Sequence, residues 1–258
     1  MSSPGVADLA DLAAIAGWIR DARHVMVLTG AGISTDSGIP DFRGPQGVWT
    51  RNPEAEKMSN ITYYVRDREV RKKAWRYRME NKMWLREPNP GHYSCLRLEQ
   101  REKLLMVITQ NVDGLHLKAG TSPGRLVEIH GTMREVVCLD CGERAPIERA
   151  LARVEAGEDD PPCRSCGGIL KTATISFGQA MPEIQMARAQ DETMNCDLFI
   201  VLGSSLVVYP AAGFPRIAKR KGAKLVIVNR DATDQDDDAD LVIRAEIGPT
   251  MSKAVGVN

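Results

Sequence analysis

The stretch HVMVLTGAGISTDSGIPDFRG, residues 24–44, decides the fold. Its first six residues are mostly apolar and lack the polar alternation of a half-exposed strand, so they predict a strand covered on both faces. The chain then turns through Gly30, Ala31 and Gly32 towards Ser34. Small residues after a buried strand let a phosphate approach the backbone, and the dipoles of a helix N-terminus favour its charge. The turn is not a full dinucleotide fingerprint, because Thr35 stands where a third glycine is usual. By itself, G-A-G reads equally well as a tight turn with no ligand, and the lack of a following G-K-S/T argues against a triphosphate loop. The continuation Asp41-Phe42-Arg43-Gly44 sets an aromatic ring and a guanidinium on a loop able to close over a cofactor.

Four further runs read as covered strands: 103–109, 197–203, 224–229 and 239–243. Helical spacing separates them at 7–22, about 182–194 and 210–221. Strands alternating with helices predict an α/β fold with a doubly wound parallel sheet. Two regions break the rhythm. Residues 45–103 carry no strand run and are rich in Arg, Lys, Met and Trp; residues 132–172 hold two C-x-x-C pairs among Pro and Gly. The chain is therefore expected to divide into a discontinuous Rossmann-like domain (1–44, 104–131 and 173–258), a helical module (45–103) and a ribbon module (132–172), the last two forming a smaller lobe.

The pairs Cys138/Cys141 and Cys163/Cys166 supply four thiolates for one tetrahedral ion. Four sulfurs leave no open position for water, so the expected zinc is structural. Arg144 and Arg164 are near in sequence to offset the excess thiolate charge. With only Cys95 and Cys196 left over, the cysteine usage suits a reducing compartment, and a cytoplasmic location is expected.

The 258 residues are 43% hydrophobic and 26% charged with a formal net charge of zero, which argues against nucleic-acid binding by bulk charge. No apolar run approaches the length of a membrane span. The first twenty residues carry Asp8 and Asp11 and lack a basic start, unlike a secretory signal.

A second strand end asks for a ligand. VITQNVDGLH, residues 107–116, leaves an apolar run and places Gln110, Asn111, Asp113 and His116 within seven residues. Capping the next helix needs only one such group. His130 closes a second polar strand end in EIHG. An imidazole titrating near neutrality suits a general base, although a strand-end histidine is often only a satisfied core residue.

GAGIS, GIPDFR, TQNVDGLH, EIHG, the two C-x-x-C pairs, FGQAMP, GSSLVVYPAA and IVN stand in the order found in the sirtuins, which this chain resembles from Val25 to about Met251. The resemblance implies a Rossmann-like domain with a smaller lobe built from a helical module and a four-cysteine zinc ribbon. It implies an NAD-dependent protein-lysine deacylase, most plainly a deacetylase, that yields nicotinamide, free lysine and O-acyl-ADP-ribose. His130 then matches the catalytic base, and Asn111 and Asp113, with Gln110 beside them, match the nicotinamide and ribose pocket. Gly30, Ala31, Gly32, Ser34, Asp41, Phe42 and Arg43 match the cofactor turn and loop. Gly203, Ser204 and Ser205 match a second phosphate and ribose turn, Asn229, Arg230 and Asp231 the adenosine ribose loop, and Ile247 an adenine contact. Acyl-lysine peptide binding falls to Val112, Phe177, Gly178, Val207 and Tyr209. Gln179 departs from the usual Glu, and Ser204 from the usual Thr.

Sirtuins that take succinyl groups carry Tyr-x-x-Arg upstream of E-P-N, where this chain has Arg76 and Met79, with Tyr77 and Arg78 out of phase; acidic acyl groups are accordingly expected to be poor substrates. Rival readings are protein mono-ADP-ribosyl transfer at the same site, a non-enzymatic zinc-ribbon adaptor, and a dehydrogenase, though no hydride-transfer acid stands out.

Overall fold

The computed structural model describes Gly5 and residues 7–256; the outer ends of the terminal segments, at residues 1–4, 6 and 257–258, lie outside them. In chain order the elements are α1 (Leu9–Asp21), β1 (Val25–Thr29), α2 (Val48–Arg51), α3 (Ile61–Arg66), α4 (Arg68–Asn81), α5 (Pro90–Gln100), β2 (Leu104–Thr109), α6 (Leu115–Ala119), β3 (Leu126–Glu128), β4 (Gly131–Cys138), β5 (Arg144–Pro146), α7 (Ile147–Glu155), β6 (Leu170–Thr174), α8 (Glu183–Met194), β7 (Leu198–Leu202), α9 (Phe214–Arg220), β8 (Lys224–Val228), β9 (Leu241–Ile243) and α10 (Ile247–Val255).

Six strands form one parallel sheet in the order β3-β2-β1-β7-β8-β9. Alternation along β1 divides the core. Val25 and Val27 face a layer with Ile15, Ile19 and Met251, while Met26 and Leu28 face the opposite layer with Phe199, Ala218 and Phe214. Both faces of each central strand are thus covered, which is why these runs lack polar alternation. The order reverses direction beside β1, and in such sheets the crevice beyond the strand ends at the reversal receives the ligand. The sixth strand, β3, is a three-residue edge strand with no run long enough to announce it.

The small lobe has its own antiparallel sheet, β5-β4-β6. Trp75 of α4, fully buried, packs against Val136, Ile147 and Leu151, joining the helical part of the lobe to the ribbon. Helix α5 is set by a capping box: the Asn89 side chain accepts from Gly91 N, the His92 side chain accepts from Asn89 N, and Pro90 lies in the first turn. Asn89 also donates to Ile33 O at 2.7 Å, which fastens α5 to the turn that follows β1.

Two turns meet at the crevice. Gly32 N donates to Gly203 O at 2.9 Å. A Cβ on Gly30 would lie 2.6 Å from Gly203 O, and one on Gly203 would lie 2.5 Å from Ile33 N. Gly203 also holds φ +66, where a side chain is strained. Gly203→Ala should lower the free energy of unfolding in urea by ~1–3 kcal/mol, with the slope of the transition unchanged.

Candidate active site

Four strand ends bring the polar groups together. From β2, Gln110 N donates to Thr29 O at 3.0 Å, which fixes the course of the chain just past the sheet. The Gln110 side chain donates to Ser204 Oγ at 2.8 Å and so ties β2 to the turn after β7. Asn111 Nδ2 donates to Gly30 O (3.0 Å) and to Ser34 Oγ (3.1 Å). The Ser34 hydroxyl donates in turn to Asp113 Oδ2 at 2.8 Å. Asp113 Oδ1 accepts from Leu115 N in the first turn of α6. Asp113 therefore serves the helix start and the site at once, one oxygen for each. Burial raises its carboxyl above the ordinary range, and the bonds from Leu115 and Ser34 partly offset this.

His92, within the segment 45–103, joins this network from α5. Its Nδ1 accepts from Asn89 N, so its Nε2 carries the hydrogen and points at Ser34 Oγ, 3.4 Å away. Its ring lies edge-on to His116 at 4.9 Å between centroids. His116 faces inward, with Nε2 3.1 Å from Thr29 Oγ1, and supports the strand ends from beneath.

His130 follows β3. Its Nδ1 lies 3.0 Å from Gln110 O. A carbonyl only accepts, so Nδ1 carries the hydrogen and Nε2 keeps its lone pair. Burial lowers its pKa, and the bond to Gln110 O partly restores it. The imidazole is thus a neutral base with one nitrogen anchored and the other free. Ile175 N donates to His130 O at 2.7 Å, which draws β6 alongside.

A cavity of about 720 Å³ collects these groups, a size suited to an organic cofactor with part of a substrate. It is lined by Gly30, Ala31, Gly32 and Ser34, by Asp41, Phe42 and Arg43, and by Gln110, Asn111, Val112, Asp113 and His130. Gly203, Ser204, Ser205, Asn229 and Asp231 complete the Rossmann-side wall, and Phe177 stands on the opposite side. The residues fit a dinucleotide. Backbone and small side chains face the crevice beyond a strand-order reversal, with a carboxamide at Asn111 and a guanidinium at Arg43.

Arg230 and Ile247 do not line this cavity. Arg230 pairs with Glu246 at 3.2 Å, and Ile247 is turned into the core beside Met251. The adenine contact expected at Ile247 is therefore not offered by its side chain. Gly178, Val207 and Tyr209 lie outside the cavity, with Val207 41% and Tyr209 61% exposed. They sit where an extended chain has access. Phe177 is held from both sides by Ser59 and Ile61, which its N–H and carbonyl bind at 2.8 and 3.0 Å.

Sequence reading misses Trp49. Its ring stacks on Phe42 (4.6 Å), lies under Arg43 (4.5 Å) and reaches Phe177 (5.8 Å). It links the loop after the first turn to the opposite wall. Tyr77 and Arg78 of α4 and Thr172 and Thr174 of β6 also line the cavity.

In the ribbon, the sulfurs of Cys138 and Cys166 stand 3.5 Å apart, those of Cys141 and Cys163 3.8 Å, and all four lie within 4.8 Å of one another. A tetrahedral ion with metal–sulfur bonds of about 2.3 Å separates its ligands by roughly 3.8 Å. The donor set therefore fits one zinc. Arg144, expected to offset the thiolates, instead pairs with Glu135 at 2.5 Å.

A parallel sheet in this order, glycine turns at its reversal, and a four-cysteine ribbon on a second sheet define a Rossmann-like dinucleotide-binding protein with a smaller lobe that carries a four-cysteine cluster. A family model described as the Sir2 family matches residues 30–210. The NAD-dependent protein deacetylase 2 of Streptomyces coelicolor is 48% identical over 235 residues, which cover 90% of this chain and 98% of that relative. A solved Sir2 structure with p53 peptide and NAD+ is 34% identical, with a TM-score of 0.83 over 94% of this chain and 97% of the other. Another, with deacetylated p53 peptide and 3′-O-acetyl ADP ribose, is 33% identical, with a TM-score of 0.88 over 95% and 98%. The chain belongs to the Sir2 family. No helix among the described residues is long and apolar enough to cross a membrane.

Burial lowers the pKa of His92 from 6.5 to about 4. Between those values the unfolded chain binds a proton that the folded protein refuses, so this group makes stability rise with pH across the window. The contribution is lost progressively as pH falls from 6.5 to about 4; Asp113, shifted the other way, opposes it. Urea unfolding measured across this range should show a shallower acid loss in His92→Gln than in the wild type.

Proposed function

We propose that this chain is an NAD-dependent protein-lysine deacylase, with His130 as its general base. The observation that carries the reading is the imidazole whose Nδ1 is fixed on Gln110 O in a cavity also lined by Gly30, Gly32 and Asn111. NAD, when bound, supplies a ribose carbon with nicotinamide as its leaving group and carries the acyl group away as O-acyl-ADP-ribose. Asn111 and Asp113 hold the carboxamide and ribose; Ser34, bonded to both, keeps the pair in register. His130 accepts a ribose hydroxyl proton at Nε2, the nitrogen left free by the Gln110 bond. Phe42, with Trp49 behind it, shields the reacting centre from water, and Arg43 lies near the phosphates. Gly203, Ser204, Ser205, Asn229 and Asp231 receive the remainder of the dinucleotide. An acyl-lysine peptide lies between the segments of Phe177-Gly178 and Val207–Tyr209, gaining main-chain bonds as an added strand, with Val112 and Phe177 along the lysine stem. The small lobe, from 45–103 and 132–172, closes one side of this groove.

The ribbon cysteines hold one structural zinc. Six cysteines without a disulfide fit the reducing setting of the cytoplasm.

NAD and an acetyl-lysine peptide should together release nicotinamide, deacetylated peptide and O-acetyl-ADP-ribose, read by mass spectrometry. Formation of NADH, or nicotinamide release that ignores the peptide, would refute the assignment. His130→Ala should cost at least ~100-fold in kcat. Metal analysis should find one zinc per chain, and Cys141→Ala, at an exposed ligand, should lose the ion and lower the Tm.

A further inference from the structure

The segment 176–179 follows β6 at the outer edge of the cavity, and most of its main chain is taken. Phe177 is bound through its N–H to Ser59 O and through its carbonyl to Ile61 N. Ser176 is bound twice by Gln179. The Gln179 N–H donates to Ser176 O at 3.0 Å, and the Gln179 side chain accepts from Ser176 N at 2.9 Å. Among the described residues, Gly178 alone in this segment has neither its N–H nor its carbonyl bound. It is exposed and holds φ +86. A Cβ there would lie 3.2 Å from Ile61 Cγ2. The segment thus offers an incoming strand the whole main chain of one residue, and the next side chain is that of Gln179.

An atom that accepts from an N–H must be the oxygen of a carboxamide, so the Ser176 bond fixes how the Gln179 amide is turned. Its oxygen closes the turn. Its nitrogen keeps two hydrogens, and it has no acceptor among the described residues. Gln179 is only half-buried, so these donors can be reached from the groove. The walls around them are neutral: ISFGQAMP at 175–182 and GSSLVVYPAAG at 203–213 hold no charged residue. Amide hydrogens bind a carboxylate well and an ammonium not at all. A glutamate, usual at this position, would accept the same bond from Ser176 and keep the turn. Its second oxygen would stand where the amide nitrogen does, with a negative charge, and the preference would invert.

Phe177 runs along the lysine stem, and Gln179 lies two residues beyond it. Two residues of strand span about 7 Å. The substrate side chain that meets Gln179 therefore belongs within two positions of the acyl-lysine.

We propose that Gln179 is a specificity-determining residue of the peptide groove. Its amide nitrogen binds a carboxylate (Asp or Glu) of the substrate within two positions of the acyl-lysine, so that acidic neighbours are favoured over basic ones there. The inference rests on the deacylase reading and extends it from the modified lysine to the sequence around it.

The test uses acetyl-lysine peptides built otherwise from glycine and alanine. Glu, Gln or Lys is placed at one of the two positions on either side, and each peptide is assayed with NAD. In the wild type, kcat/KM for Glu should exceed that for Lys about 3- to 10-fold at one of these positions, with Gln between, the worth of one hydrogen bond to a charged group beside water. Gln179→Glu should invert the ratio at that position and leave the others unchanged. Each ratio compares two peptides on one protein, so a general loss of activity cancels. A wild type that takes Lys as fast as Glu at every position would overturn the assignment, as would a Glu-to-Lys ratio that survives Gln179→Glu. If no acetylated peptide is turned over, the deacylase reading fails instead. The Gln179 contact is then decided by fluorescence anisotropy of the labelled peptides: tighter binding of Glu than Lys that inverts in Gln179→Glu upholds it, and equal binding overturns it.

Discussion

The site depends on how closely two turns pass one another. Gly30 and Gly32 after β1, and Gly203 after β7, leave no room for a single carbon on the facing backbone. That contact holds the ends of two neighbouring strands at one level beside the reversal in strand order. Ser204 and Ser34 are each anchored within a residue or two of it. Bulkier residues there would part the turns, and Gln110 and Asn111 would lose the acceptors that fix them.

From that contact the polar groups build outward with little redundancy. Ser34 receives from Asn111 and gives to Asp113, while His92 approaches from a helix on the other side of the turn. His130 is set by the carbonyl of Gln110, whose amide is itself held by Thr29. Asn111 and His130 are thus oriented by backbone of the adjoining strand end. Such an arrangement presents a base and a carboxamide in fixed poses before any cofactor arrives.

Much of this is legible in the chain itself. The strands β1, β2, β7 and β8 announce themselves because burial on both faces demands unbroken apolar runs; β9, read as covered too, is a half-buried edge strand. The cysteine spacing marks the ribbon, and the polar strand ends mark the cavity. Other features leave no such trace. Strand β3 is too short for periodicity, and β4 and β6 mix polar and apolar residues because one sheet serves the ribbon, the lobe core and the cavity wall. Trp49 has no pattern around it, only a place in space. The face that α4 turns to the cavity is not legible either: counting back from Glu87-Pro88-Asn89 crosses Lys82, at φ +42, and a 3-10 turn at Met83–Leu85. Each breaks the angular register of the helix, so the offset reaching Met79 in sequence does not give the face that meets the cavity.

Strand β4 has a different residue of interest at each end. Gly131, beside the imidazole, starts it, and Cys138, in the sulfur cluster, finishes it. The ribbon and the base are therefore the two ends of one extended segment, stitched to β6 at Gly131 and again from Val136 to Cys138. Oxidising the two solvent-facing thiols, Cys141 and Cys166, would unfasten the distal end first. Oxidative damage could in this way silence turnover from a distance, leaving every group around the sugar chemically intact.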